Sequence, residues 1–148
     1  MSVTIRPAVE SDLFAWHALY SGYGEFYGNP LTDEKAVLVW GWLSDPTHPL
    51  TALVAEDAQG ALVGLAHYRV FPRALAGGTG LYLDDLFVAE DARTGGVGTA
   101  LIEHVRDLAK ADGHSVVRWI TAADNERAQA VYDKLATRTS WVTYDLEP

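Results

Sequence analysis

The run Leu81 to Asp112, LYLDDLFVAEDARTGGVGTALIEHVRDLAKAD, constrains the fold more than any other part of the chain. Leu81 to Val88 is apolar except for Asp84 and Asp85, and it ends before a polar run that cannot continue a buried ladder. The turn Arg93-Thr94-Gly95-Gly96-Val97-Gly98 follows, after which Leu101, Ile102, Val105, Leu108 and Ala109 recur at helical spacing. The stretch reads as a strand, a glycine-rich turn and an amphipathic helix. Amides at the start of a helix have no partner inside it, and the dipole there favours negative charge, so this geometry suits a phosphate. A side chain at Gly96 or Gly98 would stand between those amides and the anion, and Arg93 offers a planar fork to a phosphate oxygen. A plain turn into a helix is the alternative, but it needs neither the three glycines nor the preceding arginine.

Other nucleotide-binding turns do not fit. A P-loop needs Lys and then Ser or Thr after its last glycine, whereas Gly98 is followed by Thr99-Ala100. A dinucleotide fingerprint needs glycine where Leu101 stands and an acid about 20 residues on, where the chain has Val116-Val117. The remaining pattern, R-x-x-G-x-G after a strand ending in Phe87-Val88, resembles the acetyl-CoA loop of the GNAT superfamily of N-acetyltransferases. Within it, LYLDDLFV is most similar to the diamine and thialysine branch. Two features depart from that family. Thr94 stands where most members have glycine after the loop arginine, and Lys134 to Thr139 lacks the glycine usual before the last strands.

The 148 residues suit one domain with a substantial core. Val3 to Arg6 reads as a first strand, stopped by Pro7, and Ser11-Asp12 as the cap of a helix carrying Leu13, Trp16 and Tyr20. Ser21 to Pro30, with three glycines and three aromatics, reads as a loop that packs on itself or walls a pocket. Thr32 starts a second helix with Ala36, Val39, Trp40 and Leu43 on one face. Thr51 to Ala55 and Ala61 to Tyr68 read as an antiparallel hairpin, and Phe71 to Gly80 as a break before the central strand. Ser115 to Thr121 is a buried strand, Asp124-Asn125 caps a last helix, and Ser140 to Leu146 alternates as a closing strand. This order predicts an α/β fold, a mixed and mostly antiparallel sheet with helices on both faces, as the resemblance also implies.

Eleven Lys and Arg against twenty Asp and Glu give a formal charge of −9. That balance argues against a nucleic-acid groove and attracts cationic small molecules, with simple solubility as the plainer reading. There is no leader and no long apolar run, so the expected location is the cytoplasm and no membrane partner is expected. With no Cys there is neither a thiolate metal site nor a cysteine nucleophile, and the five histidines show no ligand spacing, so no metal is expected.

The resemblance implies acetyl-CoA as cosubstrate and direct attack by an amine in a ternary complex. Arg93, Thr94, Gly95, Gly96, Val97, Gly98 and Thr99 would hold the pyrophosphate, and the backbone of Leu86, Phe87 and Val88 would run beside the pantetheine arm, with an amide near Val88 facing the thioester oxygen. Tyr132 lies two helical turns after Asn125 on the same face. A phenol is protonated at neutral pH and serves as an acid. By the resemblance Tyr132 protonates the departing thiolate and Asn125 contacts the pantetheine arm; a tyrosine packed in the core is the alternative. Asp84 and Asp85 should point to opposite faces unless a bulge intervenes. The resemblance assigns Asp84 to activation of the amine through water and Asp85, with Glu25 and Tyr27, to binding of a cationic substrate; a structural salt bridge is the alternative. His67 is a further candidate for the pocket.

The expected activity is acetyl transfer to a primary amine of a small molecule, polyamine-like or amino-acid-like, by a homodimer to which the tail around Trp141 contributes. The alternatives are an antibiotic or protein amino terminus as acceptor, or an acyl-CoA sensor without turnover.

Overall fold

The computed structural model describes residues 2–148. The strands are β1 (Thr4–Pro7), β2 (Thr51–Glu56), β3 (Leu62–Arg73), β4 (Gly78–Val88) and β5 (Val117–Arg118). The helices are α1 (Leu13–Phe26), α2 (Asp33–Ser44), α3 (Val97–Ala111) and α4 (Glu126–Leu135). The five strands form one sheet in sequence order, antiparallel from β1 to β4 and parallel between β4 and β5. The parallel step requires a crossover, and α3 supplies it.

Two cores flank the sheet. On one face Leu101, Ile102 and Val105 of α3 pack on Leu53, Val63, Leu81 and Leu83, with Tyr132 and Leu135 of α4 at the margin. On the other, Trp16 and Leu19 of α1 and Ala36 of α2 pack on Leu65. The α3 periodicity was therefore a faithful sign of burial. Thr32 and Asn125 accept the amides of Lys35 and Ala128 and so cap α2 and α4. Asp12 makes no cap bond to α1. Its carboxylate instead accepts the Val9 amide at 2.8 Å and pairs with Arg6 at 2.7 Å, tying α1 to β1.

Four further expectations fail. The segment from Ser21 is not a loop, because α1 continues to Phe26. Its glycines permit close packing: a Cβ on Gly22 would lie 3.1 Å from the Phe87 ring, and one on Gly24 only 2.6 Å from the Asn29 carbonyl oxygen. The break at Phe71 to Gly80 is a continuous hairpin, with register running to Arg73 opposite Gly78 and Gly77 turning at φ +66°. β5 is two residues long rather than seven. The tail after α4 forms no strand, and Trp141, Val142, Tyr144 and Leu146 are exposed. Alternation establishes that a segment can pair, whereas a strand also needs a neighbouring edge within reach.

Candidate active site

The short β5 opens the sheet. Its ladder to β4 holds only Leu81 opposite Val117 and Tyr82 opposite Arg118, whereas β4 stays paired with β3 as far as Val88 opposite Gly64. Backbone groups of Leu86 to Val88 that face the β5 side thus have no strand beside them. A cleft of about 440 Å3 occupies this gap. Its walls include Leu86, Phe87 and Val88 from β4 and Arg93, Thr94, Gly96, Gly98 and Thr99 from the turn and the start of α3. Asn125 and Tyr132 of α4 close one side, and Phe26 and Tyr27 at the end of α1 the other.

Gly95 and Val97 do not line it. The Gly95 amide donates to the Ala92 carbonyl at 3.2 Å, and the Val97 side chain is buried in the core. Gly96 has φ +77° and caps α3, a left-handed position where only glycine avoids a steric cost. A Cβ on Gly96 would meet nothing within 4 Å, and one on Gly98 would make only an ordinary 3.6 Å contact with Val88. The protein's own packing does not demand glycine at 98, which leaves open space on the cleft side of the turn. The amide of Ala100 reaches the Gly96 carbonyl at 3.0 Å as the first helical bond of α3, so the amides of Val97, Gly98 and Thr99 precede the ladder. Arg93 donates from Nε to the Val88 carbonyl at 3.1 Å and lies over the rings of Phe26 and Phe87 at 5.5 and 5.4 Å. It thereby ties the turn to the end of β4.

Asn125 uses its Oδ1 to cap α4, at 3.2 Å from the Ala128 amide. Tyr132 packs edge-on against Trp119 at 5.4 Å between centroids. Burial pushes its phenol pKa up, with Tyr27 adding to the shift, so the group keeps its proton beyond the usual phenol range.

On the other side of β4 a bulge decides where the acids point. His67 pairs with Asp85 and Tyr68 with Leu83, so Asp84 is the extra residue. Leu83 and Leu86 face the α3 core. Asp84 and Asp85 both project to the opposite face, where Arg69 and His67 receive them. Asp84 accepts from Arg69 Nε at 2.9 Å in an exposed pair. Asp85 is largely buried. Its Oδ2 lies 2.8 Å from His67 Nδ1 and accepts the Tyr20 hydroxyl at 3.2 Å. Burial pushes the Asp85 carboxyl up, but hydrogen bonding from His67 and the phenols of Tyr23 and Tyr20 outweighs it and holds the group below the usual carboxylate range. Burial and the Asp85 charge together push the phenols of Tyr20 and Tyr23 up.

Neither aspartate lines the cleft. Tyr23 connects Asp85 to it, lying 4.8 Å from the Tyr27 ring and 6.0 Å from the Phe87 ring between centroids. Glu25 is elsewhere: it borders a separate groove with Ser11, Gly22 and Glu90. Sequence reasoning missed Trp16, Tyr20 and Tyr23 as site neighbours. Trp16 and Tyr20 were visible on one face of α1 and Tyr23 only as part of an expected loop, and which strand residues they meet depends on the β3–β4 register. Among the described residues no group of three or more His, Cys, Asp or Glu is placed to hold a metal ion, and no helix is long and apolar enough to cross a membrane.

A sheet opened beside a glycine-turned helix, with a buried phenol on one wall and paired acids beyond the opposite strand face, suits acyl transfer from a phosphate-bearing donor. The chain belongs to the acetyltransferase (GNAT) family, whose profile matches residues 16–136. It is 34% identical over 143 residues to the D-amino-acid N-acetyltransferase HPA3 of Saccharomyces cerevisiae, covering 96% of this chain and 89% of that one. Among solved structures it is similar to a ribosomal-protein-alanine N-acetyltransferase from Brucella melitensis biovar Abortus 2308, at TM-score 0.82 and 23% identity over 99% of both chains. An aminoglycoside acetyltransferase from an uncultured soil metagenomic sample superposes at TM-score 0.77 and 25% identity, over 100% of this chain and 99% of that one. The protein is an acetyl-transferring enzyme, an N-acetyltransferase, and enzymes of its family use acetyl-CoA.

Proposed function

We propose that the enzyme acetylates a primary amine of a small cationic molecule, by direct attack in a ternary complex with acetyl-CoA. The observation that carries this reading is the bulge, which turns two carboxylates toward the same face of β4 while the cleft lies at that strand's end. Acetyl-CoA supplies the activated acyl group as a thioester. Within the cleft, the amides of Val97, Gly98 and Thr99 with Arg93 hold phosphate, and the free edge of Leu86 to Val88 pairs with the amide groups of the pantetheine arm. The Val88 end of that edge orients the thioester carbonyl. Tyr132 gives a proton to the sulfur, and Asn125, already fixed as a cap, presents its amide to the arm. Asp85 seats the ammonium group of the acceptor. Asp84, held by Arg69, acts on the amine through water.

The resemblance to the diamine branch favours polyamines, which carry a second positive charge. The 34% identity to the yeast enzyme favours a D-amino acid, which carries a carboxylate beside the amine. Thiol release from acetyl-CoA across polyamines, D- and L-amino acids and aminoglycosides separates the two. Turnover is expected on small amines. Tight CoA binding without turnover on any acceptor would replace the enzyme reading of this site with that of a sensor.

The proposal includes a cytoplasmic homodimer. The exposed alternating tail and the two-residue β5, whose outer edge carries exposed Ile120 beyond it, are complementary needs that a second copy satisfies. A chain ending at Thr139 is expected to elute as a monomer in light-scattering chromatography while the full chain elutes as a dimer. Equal masses would remove the tail from the interface.

A further inference from the structure

His67 is fully buried on β3 against Asp85, and the acetyl-transfer chemistry above gives it no task. Both of its ring nitrogens are occupied. Nε2 lies 2.9 Å from the indole Nε1 of Trp16, itself fully buried, and Nδ1 lies 2.8 Å from Oδ2 of Asp85. An indole N–H can only donate, so Nε2 must accept and carries no proton. The proton is on Nδ1, aimed at the carboxylate, and the ring is neutral. The ion-pair geometry of His67 with Asp85 is thus a hydrogen bond from a neutral imidazole to an anion.

The other groups around this carboxylate are two phenols, which favour the anion, and the adjacent Asp84 carboxylate, a like charge that opposes it and is itself paired with Arg69. From α1, Tyr20 and Tyr23 present phenols to it, and Tyr20 lies edge-on to the His67 ring at 4.8 Å. From β3, Arg69 is engaged with the neighbouring Asp84. Trp16 is held in turn by Trp40 of α2, at 5.0 Å between centroids, so the indole cannot swing away without disturbing the second core.

We propose that Trp16 and His67 are positioning residues for the acceptor amine: the indole locks the imidazole as its Nδ1–H tautomer, and that N–H aims and holds Asp85 as the anionic seat for an acceptor ammonium group. The tyrosines give the seat its walls. Tyr20, Tyr23 and Tyr27 form a chain of ring contacts, 5.7 and 4.8 Å between centroids, that runs from beside Asp85 to the cleft wall at Tyr27. Because His67 already donates to Asp85 and the phenols add to it, Asp85 is a poor proton acceptor and a strong counter-charge, so the chain affects binding of the cation more than the chemical step.

This inference rests on the small-amine reading and is tested by two measurements that fail separately. In long-range proton–nitrogen NMR of the unliganded wild type, the neutral His67 ring is expected to show a protonated Nδ1 and an unprotonated Nε2. A protonated Nε2 would overturn the proposal whatever the enzyme acetylates. In kinetics with the best acceptor amine, His67→Phe is expected to raise the acceptor KM roughly tenfold with kcat changed by less than about threefold, because one charge-assisted hydrogen bond is lost. The acidic limb of kcat/KM should move to higher pH, since the anion loses a donor that stabilised it. His67→Asn, which retains an N–H near the Nδ1 position, should recover most of the loss. In an Asp85→Asn background the His67 substitution should add nothing. A uniform fall in kcat with an unmoved pH profile, or equal effects in both backgrounds, would mark His67 as structural only and overturn the proposal. Absence of turnover by the wild type would remove the small-amine reading, while the tautomer measurement would still decide whether the Trp16–His67 lock exists.

Discussion

Tyr132→Phe should lower kcat for acetyl transfer about 100-fold, with the KM for acetyl-CoA changed by less than about threefold. The magnitude follows from the usual contribution of a positioned general acid, roughly 100- to 10,000-fold, taken at the low end because a thiolate is a good leaving group. The substitution removes one oxygen and leaves the ring against Trp119, so neither the α4 packing nor the cleft wall should change. The pH dependence gives the sharper check. As the proposed acid, Tyr132 would act in its protonated form, and burial pushes its phenol pKa up. Wild-type kcat should therefore hold as pH rises through the range where a free phenol ionises and fall only above it, and the residual activity of Tyr132→Phe should lack that fall. Stopped-flow or steady-state thiol release from pH 7 to 11 measures both. A variant with unchanged kcat would return Tyr132 to the role of a core tyrosine.

The grouping of the cleft residues was legible because it depends on local spacing. Arg93, the glycine turn and the α3 stripe lie within 20 residues, and Asn125 and Tyr132 share one helix, so spacing alone places them. Even there, local reading could not tell that the Gly95 amide is already taken by Ala92 or that Val97 turns inward. The arrangement around the two acids depends on register. A single extra residue in β4 decides that Asp84 and Asp85 share a face, and the alternation of an unbulged strand gives the opposite answer. Trp16 and Tyr20 read as an ordinary helix face, and Tyr23 as part of a loop, until the continuation of α1 and the position of His67 on β3 bring the three together. His67 was itself visible, as the polar residue in an otherwise apolar run, but its partners lie 51 and 18 residues away. Glu25 and Tyr27, both assigned to the acceptor by the resemblance, border different grooves, because positions two apart at the end of a helix face different directions.

Asp85→Asn is expected to invert the charge preference of the acceptor site. Two unit charges about 4 Å apart interact by about 4 kcal/mol at an effective dielectric of 20, and partial exposure of the carboxylate reduces this to roughly 2 to 3 kcal/mol. At 1.4 kcal/mol per tenfold, kcat/KM for a diamine should fall about 30- to 100-fold. A zwitterionic D-amino acid brings a carboxylate as well as an ammonium, so it loses attraction and repulsion together, and its kcat/KM should change by less than about fivefold. The amide is nearly isosteric, and its oxygen still accepts the His67 Nδ1–H, so the fold should be retained and thermal melting should confirm this. The ratio of the two acceptors in one variant thus separates the candidate substrates without a prior choice between them. A large loss on both would mean that Asp85 acts on the amine nitrogen itself, in the role assigned above to Asp84, and Arg69 would then hold Asp84 as a structural ion pair.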